Sequence, residues 1–243
     1  MSKFLFIFIT LLFIPAAIKA QSIKVEPSGR YDGPLQTVAS PVVVELFSSE
    51  HCPACPPADE YIGELAKSDN IIALSCHVNY FGKTKANLGK EFCTDRQTRY
   101  IEQIGRKSHF TPQMMINGHM SEIGYDTNEV AASIVKARAE KTANISITPQ
   151  ANGVYNFSLK SQQLRGDTSL WLAVYQKPKA VTRRGKTINY NNVVKDFMPL
   201  GEWSGHQISR PVFPVIDSKS SGFAIVAQEN KSGKIIAAGH FKL

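Results

Sequence analysis

The sequence predicts an α/β domain followed by a β-rich, antiparallel, sandwich-like domain. Three observations predict it. Between residues 41 and 142, buried-strand runs alternate with segments of helical periodicity. Asn117-Gly118 joins two short strand-length pieces with the positive-φ dipeptide that a tight hairpin turn requires. From residue 143 the helical spacing gives way to apolar or alternating pieces of strand length, separated by turn residues.

Taken in order, MSKFLFIFITLLFIPAAIKA sets a lysine before an apolar run and closes on small residues, the layout of a secretory signal peptide cut after Ala20. Pro15 breaks the run short of the roughly 20 apolar residues a membrane span needs, and no later segment is apolar enough to span. Residues 21–40, rich in Pro, Gly and Ser, read as an extended leader. VVVELF is a buried strand, and ADEYIGELAKS a helix with Tyr61, Ile62, Leu65 and Ala66 at helical spacing. IIALSCHV is a second buried strand; GKEFCTDRQTRYIEQIGRK is a second helix with Phe92, Tyr100, Ile101 and Ile104 inward. QMMING and HMSEIGY form the hairpin, and TNEVAASIVKARAEK is a third helix capped by Thr127. NISITP, VYNFSLKS, SLWLAVYQ, GFAIVAQEN and KIIAAGHF supply the β-rich part, 143–243.

The 243 residues, 43% of them hydrophobic, are enough for one large core or two modest ones. The net charge of +8 becomes +6 when Lys3 and Lys19 leave with the signal. The basic residues are scattered, Arg183, Arg184 and Lys186 being the densest group, which argues against a nucleic-acid partner. Export to the periplasm or beyond allows Cys52, Cys55, Cys76 and Cys93 to form disulfides. Four cysteines permit three pairings, and sequence does not choose among them.

EHCPACPP places Cys52 and Cys55 at the first strand-to-helix turn, where α/β sites form. A thiol acts as nucleophile only as thiolate, a form favoured by a helix N-terminus; this is the position expected for Cys52. Cys55, three residues on, is spaced to resolve a mixed disulfide. Pro53 suits a first-turn position, and Pro57 is expected to distort the turn. His51, when protonated, would lower the Cys52 pKa further; as a turn residue it equally fits a solvent-facing role. Glu45, inside a buried strand, is the candidate proton carrier for Cys55, or a strand-end residue pointing to water.

VVVELFSSEHCPAC resembles the strand, acid and CxxC helix of thioredoxin-fold proteins, with one residue more between acid and first cysteine. HFTPQMMING is similar to the segment carrying that fold's cis-proline, which implies that Thr111 and Pro112 align a substrate chain across from the cysteines. With DRQTRYIEQIG and RRGKTINYNNVVKDFMPLGEW, most of the mature chain resembles a family of bacterial secreted thioredoxin-like proteins, a domain of unknown function. The resemblance implies an α/β, thioredoxin-like domain over 41–142 and a thiol-disulfide oxidoreductase. Such an enzyme would act on a disulfide-bearing protein or thiol substrate, with a redox partner and no cofactor. Cys76 and Cys93 are not part of the family pattern. They form either a structural disulfide, closing a loop of about 17 residues and stabilising by roughly 3 kcal/mol, or two buried thiols.

Two other classes stay open. Cys52, Cys55, His51, His77, Met114 and Met115 are soft donors of the kind Cu(I) prefers, so copper delivery is an alternative, although strand methionines commonly fill cores. No second close ligand pair suggests zinc. Alternatively Cys52-Cys55 is a structural bridge, and the β-rich part binds a partner through RRGKT or the Trp171 and Trp203 regions.

Overall fold

The computed structural model describes residues 41–81, 88–140, 142–183 and 185–243. The expected signal peptide and leader, and Arg184 of RRGKT, lie outside the described residues. β1 (Val42–Ser48) leads through the cysteine turn to α1 (Pro56–Leu65), β2 (Ile71–His77), α2 (Glu91–Gln103), β3 (Gln113–Ile116), β4 (Met120–Ile123) and α3 (Thr127–Ala139). These four strands form one sheet in the order β2-β1-β3-β4. Its β1/β2 pair is parallel, and its β1/β3 and β3/β4 pairs are antiparallel. All seven side chains of β1 and of β2 are buried, because the sheet is covered on both faces.

Strand periodicity sorts β1 between those faces. Val42, Val44 and Leu46 join Ala58 and Ile62 of α1 and Val130 and Ile134 of α3. Val43 and Phe47 join Cys93 and Tyr100 of α2 on the other side. Pro56 and Pro57 occupy the first two positions of α1. The missing N–H groups there would have had no intrahelical partner, so Pro57 does not cost the helix a hydrogen bond, and Pro53 precedes the helix instead of opening it. α3 is capped by Asp126, whose carboxylate accepts from the Glu129 N–H at 3.3 Å, with the expected cap Thr127 as first helical residue. Asn117 (φ 44°) and Gly118 (φ 73°) make the β3–β4 turn in the left-handed region.

The chain continues through β5 (Ala143–Asn144), β6 (Ser146–Pro149), β7 (Tyr155–Leu159), β8 (Thr168–Gln176), β9 (Lys179–Arg183), β10 (Lys186–Tyr190), β11 (Val194–Trp203), β12 (Ile208–Val212), β13 (Ser220–Glu229) and β14 (Ile235–Lys242). They build a five-stranded sheet, β11-β8-β13-β14-β5, a three-stranded sheet, β12-β7-β6, and the β9–β10 hairpin. Leu170, Leu172 and Val174 of β8 and Phe223 and Ile225 of β13 meet Phe157 and Leu159 of β7, a sandwich-like core. The alternate residues Ala173, Tyr175, Ala224 and Val226 face the other way and share a core with Phe47, Cys76, Cys93 and Tyr100. At about 1.5–3 kcal/mol per fully buried large apolar side chain, this shared layer is a main source of cohesion between α2 and the five-stranded sheet.

The α/β, thioredoxin-like class expected from the sequence is corrected by this architecture. The described residues hold fourteen strands in four sheets against three α-helices, a β-rich protein. The expectation undercounted strands because KAVTR, KTINY and ISRPV carry few apolar residues and leave little periodicity to read. The sandwich-like expectation for the later part is compatible with the two facing sheets.

Candidate functional site

The cysteine turn is local in origin. β1 ends at Ser48, the Cys52 N–H donates to the Ser49 carbonyl at 3.1 Å, and the Cys55 N–H points at the Cys52 carbonyl at 3.4 Å, so the chain reverses in two successive turns. Cys55 is the N-cap of α1, and Cys52 lies one turn before the helix. The two are joined as a disulfide. Cys52 is 6% exposed and Cys55 0%, so of the two only Cys52 has any surface open to solvent. The Ala58 and Asp59 N–H groups both donate to the Cys55 carbonyl, and Pro56 and Pro57 have none to offer. The free helix-end donors expected to favour the thiolate are therefore largely absent, leaving the dipole.

Cys52 Sγ lies 3.8 Å from the Thr111 carbonyl oxygen, and the Thr111-Pro112 bond is cis. Two hydrogen bonds hold that segment in place: the Gly124 N–H, just past β4, donates to the Pro112 carbonyl at 2.9 Å, and the Gln97 side chain of α2 donates to the Phe110 carbonyl at 2.8 Å. A Cβ on Gly124 would sit 3.0 Å from the Cβ atoms of Ala58 and Pro112, which is why a glycine lets β4 close against the cysteine helix. His51 is half-buried beside Cys52, its N–H donating to Ser49 Oγ at 3.2 Å.

Glu45 is buried at 2% exposure, but its side chain belongs to the α2 face of the sheet. Both carboxylate oxygens receive the Arg96 guanidinium, through Nε and through Nη2 at 2.8 Å, and the Tyr100 hydroxyl donates at 2.6 Å. Burial alone would lower the Arg96 pKa, yet the Glu45 and Tyr100 contacts raise it above its ordinary value. Burial likewise pushes the Tyr100 hydroxyl well up. This satisfied pair ties β1 to α2, and Arg96 extends it to Gln228 on β13 at 3.2 Å.

The acid on the cysteine side is Asp59. It lies one helical turn after Cys55, on the same stripe as Ile62, and is 1% exposed. Neither carboxylate oxygen has a hydrogen-bond partner. Burial pushes its pKa up to about 7; the nearby Ser48 hydroxyl opposes this from outside hydrogen-bond geometry, and the charges of Glu60 and Glu50 add to it. His77, aligned with Ser48 across β1/β2, sets Nε2 4.0 Å from Asp59 Oδ1. Burial drives His77 down to about 3, so at mildly acid pH this is a contact of two neutral groups, with no ion pair. The Tyr190 ring of β10 closes the chamber edge-on at 5.0 Å from the His77 ring. The helical stripe Cys55, Asp59, Ile62 was the sequence signal for Asp59; Glu45 drew attention because it sits in the more apolar run.

Cys76 and Cys93 form a second disulfide, 2% and 0% exposed, between β2 and α2. The soft-donor set does not converge: Met114 packs in the core under α1 and Met115 in the core under α2. Among the described residues no three His, Cys, Asp or Glu side chains are arranged to hold a metal. Trp203 is core, its indole N–H donating to the His206 carbonyl at 2.7 Å, and Trp171 stacks on Phe197 at 5.1 Å. Two disulfides fit an extracellular or periplasmic protein. No helix among the described residues is long and apolar enough to cross a membrane.

The crystal structure of a protein from Agrobacterium tumefaciens is similar to this chain at 27% identity and a TM-score of 0.72, over 84% of this chain and 95% of that one. HBP35 of Porphyromonas gingivalis shares the fold at 14% identity and a TM-score of 0.58, over 85% of this chain and 76% of that one. No curated protein matches the chain. Residues 43–228, about three quarters of the sequence, match the family described as Protein of unknown function (DUF1223), and the chain belongs to that family.

Proposed function

We propose that the protein is an exported thiol-disulfide oxidoreductase working by dithiol-disulfide exchange at Cys52 and Cys55. The observation that carries the reading is a disulfide in which Cys52 keeps a little exposed surface and Cys55 none, with Cys52 Sγ 3.8 Å from the Thr111 carbonyl oxygen. With the pair reduced, the Cys52 thiolate attacks a substrate disulfide, forming a mixed disulfide and releasing one substrate thiolate. Cys55 then attacks Cys52 Sγ, releasing the second substrate thiolate and restoring the observed disulfide; two electrons and two protons pass to the substrate. The same steps run backwards oxidise a substrate dithiol. A dithiol or disulfide on a second protein resets the pair. Asp59, one turn from Cys55 and without a hydrogen-bond partner, is the group placed to take the Cys55 proton, and Glu45 is occupied by Arg96.

The test is a glutathione redox titration with alkylated thiols counted at each cysteine by mass spectrometry. Reversible conversion of Cys52-Cys55 while Cys76-Cys93 stays oxidised supports the reading. Cys52→Ser abolishes turnover and Cys55→Ser accumulates a mixed disulfide. A Cys52-Cys55 bridge that resists reduction throughout the titration overturns it.

A further inference from the structure

The segment that faces Cys52 is preceded by a short run of unpaired positive charge. α2 ends at Gln103, and Gly105 (φ 69°) turns the chain out, its N–H donating to the Glu102 carbonyl at 3.1 Å. Arg106, Lys107, Ser108 and His109 follow, all exposed, and lead through Phe110 to Thr111. Although they lie on a loop, their placement is held. The Arg106 N–H donates to the Ile101 carbonyl at 2.9 Å, and its guanidinium lies 5.1 Å from the Phe110 ring centroid. His109 Nε2 is 2.8 Å from Thr98 Oγ1, and its ring lies 5.7 Å from that of Tyr80. Gln97 fixes the Phe110 carbonyl.

No carboxylate among the described residues lies within ion-pair distance of Arg106 or Lys107. Glu102, one turn before Arg106, is exposed and does not pair with it. Four lysines elsewhere in the described residues do have such partners: Lys67 with Glu64, Lys242 with Asp69, Lys195 with Asp217 and Lys234 with Glu140. At no more than about 3.5 Å of chain per residue, Lys107 lies within roughly 14 Å of Thr111, and both cations reach further on their own side chains. The Arg106 guanidinium, held against the ring of Phe110 next to Thr111, is the better placed of the two, and at low salt, where the Debye length grows from about 8–10 Å to roughly 30 Å, both charges act on a chain bound at Cys52.

Resting on the exchange reading, we propose that Arg106 and Lys107 select the substrate: a protein segment whose exchanging cysteine is flanked by Asp or Glu residues. Acidic side chains entering beside Thr111 meet two cations with no carboxylate partner among the described residues, whereas a basic segment meets repulsion from them. Selection of this kind acts mainly on encounter, so it raises the rate at low salt and fades as salt screens it.

The experiment is single-turnover exchange. The protein, with Cys52-Cys55 reduced by dithiothreitol and desalted, is mixed with three disulfide-cyclised peptides of one length whose cysteines are flanked by Glu, Ser or Lys. Hydroxyethyl disulfide serves as an uncharged reference. Each reaction oxidises the Cys52/Cys55 dithiol and reduces one probe disulfide to two thiols. At low salt the Glu peptide should react about tenfold faster than the Lys peptide, with the Ser peptide between them, a factor expected from two exposed charge pairs. The spread should collapse in molar salt. Arg106→Glu/Lys107→Glu should reverse the order, each rate being taken relative to hydroxyethyl disulfide so that any change in the pair itself cancels; Arg106→Ala/Lys107→Ala should flatten it. Equal rates for the three peptides, or an acidic preference that survives charge reversal, overturns the proposal while leaving the exchange reading intact. Failure of every probe, hydroxyethyl disulfide included, overturns the exchange reading and the substrate class with it.

Discussion

Replacing Asp59 by asparagine keeps the shape of a buried side chain and removes its titration. Burial raises the Asp59 carboxyl from 3.8 to about 7, because no hydrogen bond compensates the lost hydration of the charged form. Below pH 4 the carboxyl is protonated whether the chain is folded or not, and the shift has no effect on stability. Between pH 4 and 7 the unfolded chain gives up the proton while the folded chain holds it. The stability associated with the neutral carboxyl is thus fully present below the unfolded pKa and is lost as pH rises through the folded one. A shift of about three units at 1.36 kcal/mol each gives a loss of about 4 kcal/mol by pH 8. Asp59→Asn should therefore gain about 4 kcal/mol on the wild type between pH 4 and pH 8. The assay is urea unfolding of both oxidised proteins across that range, reading the difference between the curves so that other titrating groups cancel. Parallel curves would refute the argument that Asp59 sits without a partner in a dry chamber. Exchange provides a second readout: the variant's rate should fall and lose the inflection near pH 7.

The remaining predictions concern the groups around this acid. Glu45→Gln should destabilise by about 3–5 kcal/mol in urea unfolding, since it strands the buried Arg96 guanidinium, yet leave the pH profile of exchange unchanged. A shifted profile would return the proton-carrier role to Glu45. His77 is held neutral by burial with a pKa near 3, so folded stability should be full above pH 6.5 and fall by up to about 5 kcal/mol as pH drops toward 3. His77→Gln should flatten that acid limb in the same assay. Cys76→Ser/Cys93→Ser, which opens a sequence separation of 17, should cost about 3 kcal/mol while leaving the thiol count at Cys52 and Cys55 in the redox titration as in the wild type.

How far the site was legible depended on the distance over which its parts interact. VVVELF and IIALSCHV announce buried strands because both of their faces meet apolar neighbours, and the run of β-branched residues needs no partner to be recognised. KAVTR and ISRPV announce nothing, because they are strands through pairing with β10 and β7 and not through their own side chains. Glu45 illustrates the same limit: its burial follows from the strand, but the Arg96 that occupies it lies 51 residues away.

By itself the sequence determined what is local: a buried strand running into a helix, two cysteines one turn apart at their junction, and a positive-φ turn at Asn117-Gly118. Periodicity and turn chemistry act within a few residues, and so survive without a fold. Only the tertiary structure decided which acid stands on the cysteine side of the sheet. It also bridged Cys76 to Cys93, brought Thr111 within reach of Cys52, and placed Tyr190 over His77. Each of these is a meeting of segments distant in the chain, set by how sheets and helices share their buried faces.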